Sequence, residues 1–348
     1  MTFKRTTMKF DARKYALVDL HLHLDGSLSI DDAIQMAAIE GVNISADRSE
    51  IENLLVCPDN CENLNDYLEC FKLPNSIMQS RETLFYSVQS LVKRLDEQGL
   101  IYAEIRFSPQ QHLRKGLTQD EVTDACIGGL KAGMAESKHG IKAQLILSCM
   151  RGEGNDAMNR ETVDVAKQYL GRGVCAIDLA GSEALYPTLK YRELFAYAKS
   201  LDIPFTIHAG EAAGVESMKH AIEYGASRIG HGVRSYNDPV TKQQLKQHDI
   251  CLGLCPTSNL QTKALAGVTR LSQYPLQAFL NEGVDVCINT DNMSVSNTTM
   301  SRELQNLYDA GIMSEDQARQ MLHTAIRHAF LPESEKLELE RKCMVMHK

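Results

Sequence analysis

The sequence predicts a single (β/α)₈ barrel of the TIM type, an α/β fold with extra helices after the first strand and a C-terminal helical extension. Two observations carry this expectation. Eight short apolar or β-branched runs bounded by Gly, Pro, Asn or Asp alternate with stretches of helical character, and strands so separated run parallel, because hairpins cannot join parallel neighbours. Polar motifs then recur at the C-terminal ends of these runs, the rim on which barrels of this kind carry their chemistry.

The first run, ALVDLHLHLD at 16–25, ends in His21 and His23. Strand side chains alternate faces, so these two imidazoles point the same way, and Asp25 continues their face. The interval 26–99 is too long for one βα connection and is expected to carry extra helices that partly roof the barrel mouth. The next runs are LIYAEIRFSP (100–109), KAQLILSCM (142–150) and GVCAIDLAGSE (173–183), the last carrying Gly181 and Glu183. IPFTIHAGE (203–211) ends in His208 and Glu211, and SRIGHGV (227–233) presents His231. ICLGLCPTSN (250–259) is the seventh run, and DVCINTDN (285–292) closes the series with Asp291 and Asn292. Helices are expected at 83–98, 119–137, 159–170, 191–200, 215–224, 238–247 and 275–282. A helical tail at about 298–330 should pack outside, and the final KLELERKCMVMHK should fray. No repeat, low-complexity tract or Pro-rich linker divides the chain, so it reads as one domain over 10–335 with terminal extensions at 1–9 and 336–348.

Composition narrows the function classes. With 43% hydrophobic and 24% charged residues the chain is of ordinary globular type. A formal net charge of −8 and the lack of a Lys/Arg cluster argue against nucleic acid as a partner. No run of 18 uncharged apolar residues suggests a membrane span, and MTFKRTTMKFDARKY lacks the apolar core of a signal peptide, so a cytoplasmic location is expected. The 10 cysteines read as buried free thiols. Cys57, Cys61 and Cys70 offer a weaker alternative, a small zinc site whose spacing lacks the paired ligands of structural zinc modules.

The rim residues suggest a metal-dependent hydrolase. Three neutral imidazoles (His21, His23, His208) and the carboxylate of Asp291 suit the borderline-soft preference of Zn²⁺, although Fe²⁺, Co²⁺ or Mn²⁺ fit the same donors. A divalent ion brings the pKa of its water from 15.7 to about 7, which supplies hydroxide at neutral pH. Glu211, three residues past His208, is the candidate proton donor. His231 either orients the hydroxide or takes its proton, and Asp291 is able to bind the ion through one oxygen and the water through the other. Asp25 has an alternative reading as a turn residue, since Asp before Gly is a common turn signal. Glu183 is as readily structural as functional. Arg106, Arg151, His112, His220, His248, His323 and His328 fall in no metal motif and read as surface or packing residues.

Taken in order, HLHLDGSL, DLAGSE, HAGEAAG, RIGHG, CPTSN and NTDN resemble the motif series of the adenosine deaminases, over about 15–330. That resemblance implies a (β/α)₈ fold, one catalytic zinc, and hydrolytic removal of the 6-amino group of adenosine to give inosine and ammonia. It implies that His21, His23, His208 and Asp291 hold the zinc. Glu211 then protonates the ring nitrogen beside the attacked carbon, and His231 steers the hydroxide. His23, Asp25, Gly181 and Asn292 face the substrate, the backbone at Gly181 meeting the purine and Asp25 the ribose hydroxyl. Protonated Glu211 would neutralise charge as it develops on N1. The cysteine-ligated base deaminases, with their H-x-E and P-C-x-x-C pattern, are not matched.

Two departures from the family pattern concern substrate preference. Asn292 stands where a second Asp is usual; its amide donates to the purine N7 without proton uptake, so base recognition should depend less on pH. Ser182 stands where an acidic residue is frequent, and MSVSNTT lacks the common Pro. Adenosine and 2′-deoxyadenosine are the expected substrates in purine salvage. Free adenine or a 5′-modified adenosine would keep the chemistry, and a metal-binding partner protein is the reading from a different class. Retention of both Glu211 and His231 argues against the last.

Overall fold

The computed structural model describes residues 10–346. Eight strands form in the expected order: β1 (Leu17–His23), β2 (Leu100–Phe107), β3 (Lys142–Met150), β4 (Val174–Ala180), β5 (Thr206–Ala209), β6 (Arg228–His231), β7 (Cys251–Leu254) and β8 (Val286–Ile288). Each adjacent pair within β1 to β4 and within β5 to β8 is parallel. Single parallel bridges span the two seams, Ile177 with Phe205 and Leu22 with Asp291. The second seam is doubly bonded, His23 N donating to Asp291 O at 2.7 Å and Asp291 N to His21 O at 2.8 Å. The metal-type residues of the first and last strands are thereby adjacent, although 268 positions separate His23 from Asp291 in sequence.

The crossover helices fall where the apolar periodicity places them. Several begin at reciprocal caps that satisfy otherwise unpaired amides, with Ser80 and Thr83 opening Arg81–Glu97, and Thr118 and Glu121 opening Gln119–Ala135. Between β1 and β2 lie the helices Ile30–Glu40, Arg48–Leu55, Leu64–Leu68 and Lys72–Ile77, and the stretch from Leu64 to Asn75 covers the cavity as the expected roof. Its attachment to the barrel runs through Cys57 N to Val295 O (2.8 Å) and Tyr67 Oη with Ser296 Oγ (2.7 Å).

Two expectations need correction. The seventh run does not stay extended to residue 259: the strand stops at Leu254, and Pro256–Gln261 is a helix with Pro at its first position, where the missing N–H costs nothing. Nor does the tail fray over its described residues, which run to Met346. Glu333–Met346 is a helix, and Leu339 and Cys343, four residues apart on one face, are fully buried among Ala16, Val18, Tyr102 and Ile326 at the base of the barrel. Among the described residues no helix is long and apolar enough to cross a membrane.

Candidate active site

The C-terminal ends of the strands open into a cavity beneath the roof, whose lining includes His23, Asp25, Gly181, His208, Glu211, His231, Asp291 and Asn292, with Leu64, Tyr67 and Phe71 above them. At its floor, His208 Nε2 lies 3.0 Å from His21 Nε2 and 3.2 Å from His23 Nε2. Asp291 Oδ1 is 3.4 Å from the Nε2 atoms of both His21 and His23. Ligand atoms of His21, His208, His231 and Asp291 also lie within 4.8 Å of one another. Two overlapping sets of four thus share three members, with His23 or His231 as the fourth.

The donors fit a divalent cation. Asp178 accepts from His208 Nδ1 (3.0 Å to Oδ2), which directs the Nε2 lone pair of His208 into the cluster. Burial holds His21 well below the usual histidine range and lowers His23 to about 3, so both rings are neutral nitrogen donors. His21 Nδ1 is buried without a hydrogen-bond partner. Nε2 atoms converging at contact distance around a carboxylate oxygen are a poor hydrogen-bond network and a suitable ligand set. Cys57, Cys61 and Cys70 pack together with Tyr67 and Val295 but form no such convergent group among the described residues.

Two of the six described non-glycine residues with positive φ belong to this cluster. Both His231 (φ 61) and Asp291 (φ 59) adopt the left-handed region that side chains disfavour. Conformations of that cost persist where surrounding structure enforces them, and functional sites are where they collect. Gly181 has φ 104, which only glycine adopts readily, and it exposes its main chain to the cavity.

Glu211 is almost fully buried; burial first, and the charge of Asp291 second, push its carboxyl up to about 8. Thr262 Oγ1 donates to its Oε1 at 3.2 Å, and Oε2 lies 3.5 Å from His231 Nε2. His231 in turn has Asn259 Nδ2 at 3.0 Å from its Nδ1. Asp25 is both a turn residue, in the short helix Asp25–Ser27, and a cavity residue, with Oδ1 buried and unpartnered and its carboxyl raised to about 6 by burial. Asn292 packs against Gly26 so closely that a Cβ there would sit 1.8 Å from Asn292 Oδ1.

Several residues around this site were left open by sequence reasoning, as Glu183 was, or went unnamed, as Asp19 and Asp178 did. Glu183 is a clamp: its carboxylate accepts from the amides of Gly210 (2.7 Å), Glu211 (3.1 Å), Ala212 (2.8 Å) and Ala213 (2.9 Å). Asp19 accepts from Thr290 N and Oγ1, tying β1 to the loop that carries Asp291. Arg106 and Arg151 are packing residues, buried rather than on the surface, with Arg106 Nη1 3.3 Å from Asp178 and Arg151 Nη2 donating to His208 O at 2.6 Å. The available signal was a lone acid inside an apolar run, as in LVDLH and AIDLA.

The family model described as adenosine deaminase matches residues 16–345. An adenosine deaminase of Haemophilus ducreyi is 45% identical over 330 residues, covering 94% of this chain and 95% of its own. Solved structures of similar shape include the adenine deaminase of Arthrobacter aurescens (TM-score 0.83, 23% identity, 95% of this chain and 98% of that one). Another is an amidohydrolase of Burkholderia ambifaria with bound zinc (TM-score 0.87, 18% identity, 99% and 96%). At those identities the two structures speak to the fold. With a family match across nearly the whole sequence and a close curated relative, the chain belongs to the adenosine deaminase family, hydrolases acting on a carbon–nitrogen bond.

Proposed function

We propose that this protein hydrolyses adenosine and 2′-deoxyadenosine to inosine and 2′-deoxyinosine with release of ammonia, in cytoplasmic purine salvage, using one zinc ion held by His21, His23, His208 and Asp291. The observation that carries the reading is the convergence of that donor set with a buried, proton-retaining Glu211 in one roofed cavity. The zinc-bearing amidohydrolase of like fold supports the choice of metal. Zinc, when bound, acidifies a water enough to make it nucleophilic near neutral pH.

The chain's own residues supply the rest. Attack at purine C6 moves electrons onto N1, where Glu211 delivers its proton and neutralises the charge as it forms. His231 faces the attacking water from beside Glu211. The Gly181 backbone and the Asn292 amide hold the purine edge, and the unpartnered oxygen of Asp25 accepts the ribose hydroxyl. A phosphate at that position would meet like charge at a cost of a few kcal/mol, about 4 at 4 Å and an effective dielectric of about 20. Adenosine, deoxyadenosine, adenine, 5′-methylthioadenosine and AMP, followed in parallel by loss of adenine-band absorbance, test the reading. The two nucleosides are expected to turn over fastest; preference for adenine or AMP would overturn the substrate assignment.

A further inference from the structure

One residue of the CPTSN motif meets a residue of the site directly, although catalysis as described does not use it. Asn259 is carried on the helix Pro256–Gln261 and is 2% exposed, between His231 and Tyr274, which are also buried. Its Nδ2 meets His231 Nδ1 at 3.0 Å, and its Oδ1 accepts from Tyr274 Oη at 2.9 Å. In this arrangement the Nδ2 end of the amide faces His231, and reversing it would take from the buried Tyr274 Oη–H its acceptor.

We infer that Asn259, oriented by Tyr274, is a positioning residue that holds His231 in the neutral tautomer bearing its proton on Nε2, so that His231 acts on the attacking water as a hydrogen-bond donor and neither as a base nor as a metal ligand. The argument is one of donors and acceptors. An amide N–H cannot face a ring N–H, so Nδ1 must offer a lone pair. That excludes the imidazolium, whose two nitrogens both carry protons, and assigns the single ring proton to Nε2. Nε2 is the atom 3.5 Å from Glu211 Oε2, on the side of the metal-type cluster. A protonated nitrogen has no lone pair for a cation, which decides between the two overlapping sets of four in favour of His23. It also leaves Glu211, once its own proton has gone to N1, as the group able to take a proton from the attacking oxygen.

This inference rests on the deaminase reading, and the test separates the two. Zinc-loaded protein labelled with nitrogen-15 histidine, with His231→Gln used to assign the His231 signals by their loss, reports which ring nitrogen is protonated. The expected spectrum has His231 Nε2 protonated and Nδ1 bare. Asn259→Asp, whose carboxylate accepts from Nδ1–H, should reverse the pattern and lower kcat by about 10²- to 10³-fold, with KM moving less than about threefold, as for loss of a transition-state donor. Tyr274→Phe, the milder change if the first variant does not fold, should give a mixture of tautomers and a loss of about tenfold. Protonated Nδ1 in the wild type, or full kcat in Asn259→Asp with the tautomer reversed, overturns the inference. A wild type that releases no ammonia from adenosine defeats the deaminase reading instead, and the spectrum still reports the tautomer.

Discussion

Replacing Glu183 with Gln tests how far the site depends on a residue that need not touch substrate. In the native protein Oε1 accepts one amide, from Gly210, and Oε2 accepts three, from Glu211, Ala212 and Ala213. A glutamine retains one oxygen. In its better orientation it keeps the three-amide acceptor and turns an NH₂ group toward Gly210 N, leaving one buried donor unsatisfied at about 1–3 kcal/mol. The substitution also removes the negative charge beside Arg151, itself 5% exposed, and an uncompensated buried charge costs about 3–5 kcal/mol. The two effects share partners and do not add, so a loss of about 4 kcal/mol is expected, a fall in Tm on the order of 8 °C for a domain of this size. Because two of the four clamped amides belong to Gly210 and Glu211, kcat should fall at least tenfold as the acid loses its fixed position. Thermal denaturation and initial-rate kinetics on the same preparation measure both. A Tm within about 2 °C of wild type together with an unchanged kcat would refute the clamp argument.

Other outcomes follow from the same geometry. Glu211→Gln should abolish turnover while bound zinc, measured by metal analysis, stays at one per chain; normal turnover removes Glu211 from its role. Since the folded protein holds this carboxyl's proton up to about 8 and the unfolded chain releases it near 4.5, metal-free protein should lose stability as pH rises through that window. The single-group slope is up to about 1.4 kcal/mol per pH unit, and denaturant titrations should find it reduced in Glu211→Gln. Asn292→Asp places a carboxyl near Asp25 and Asp291 that must be protonated to donate to N7, so kcat/KM should decline as pH rises through its ionisation. An unchanged pH profile would undo the N7 assignment. Asp178→Ala removes the acceptor that orients His208 and should weaken zinc binding by about 10- to 100-fold in competition with a chelator, with equal affinity as the refuting result.

Much of the barrel and the cluster was legible in the chain because both rest on short-range periodicities. Alternation along a strand puts Asp19, His21 and His23 on one face whatever the rest of the fold does. Parallel strands send their C-terminal ends to one rim, so HAGE, RIGHG and NTDN had to meet once the topology was known. The roof could be expected from the length of 26–99 alone. Where expectation failed, local pattern was outweighed by distant partners. CPTSN looks extended, yet proline at a helix start overrides the apolar run before it. The terminal KLELERKCMVM looks charged and loose, yet Leu339 and Cys343 cover the barrel base.

The sequence by itself determined the fold class, the family and the donors able to hold a cation, since these follow from residue type, spacing and order. Only the tertiary structure decided which of those donors have lone pairs to give. A histidine's tautomer is chosen by whatever meets its other nitrogen, and here those groups come from other strands and loops: Asp178 for His208 and Asn259 for His231. The same holds for Glu183, whose side chain is ordinary in the sequence and becomes a four-amide clamp because the fold turns the loop after β5 onto it. Proton position and charge compensation are properties of contacts, and contacts across tens of residues are made by folding.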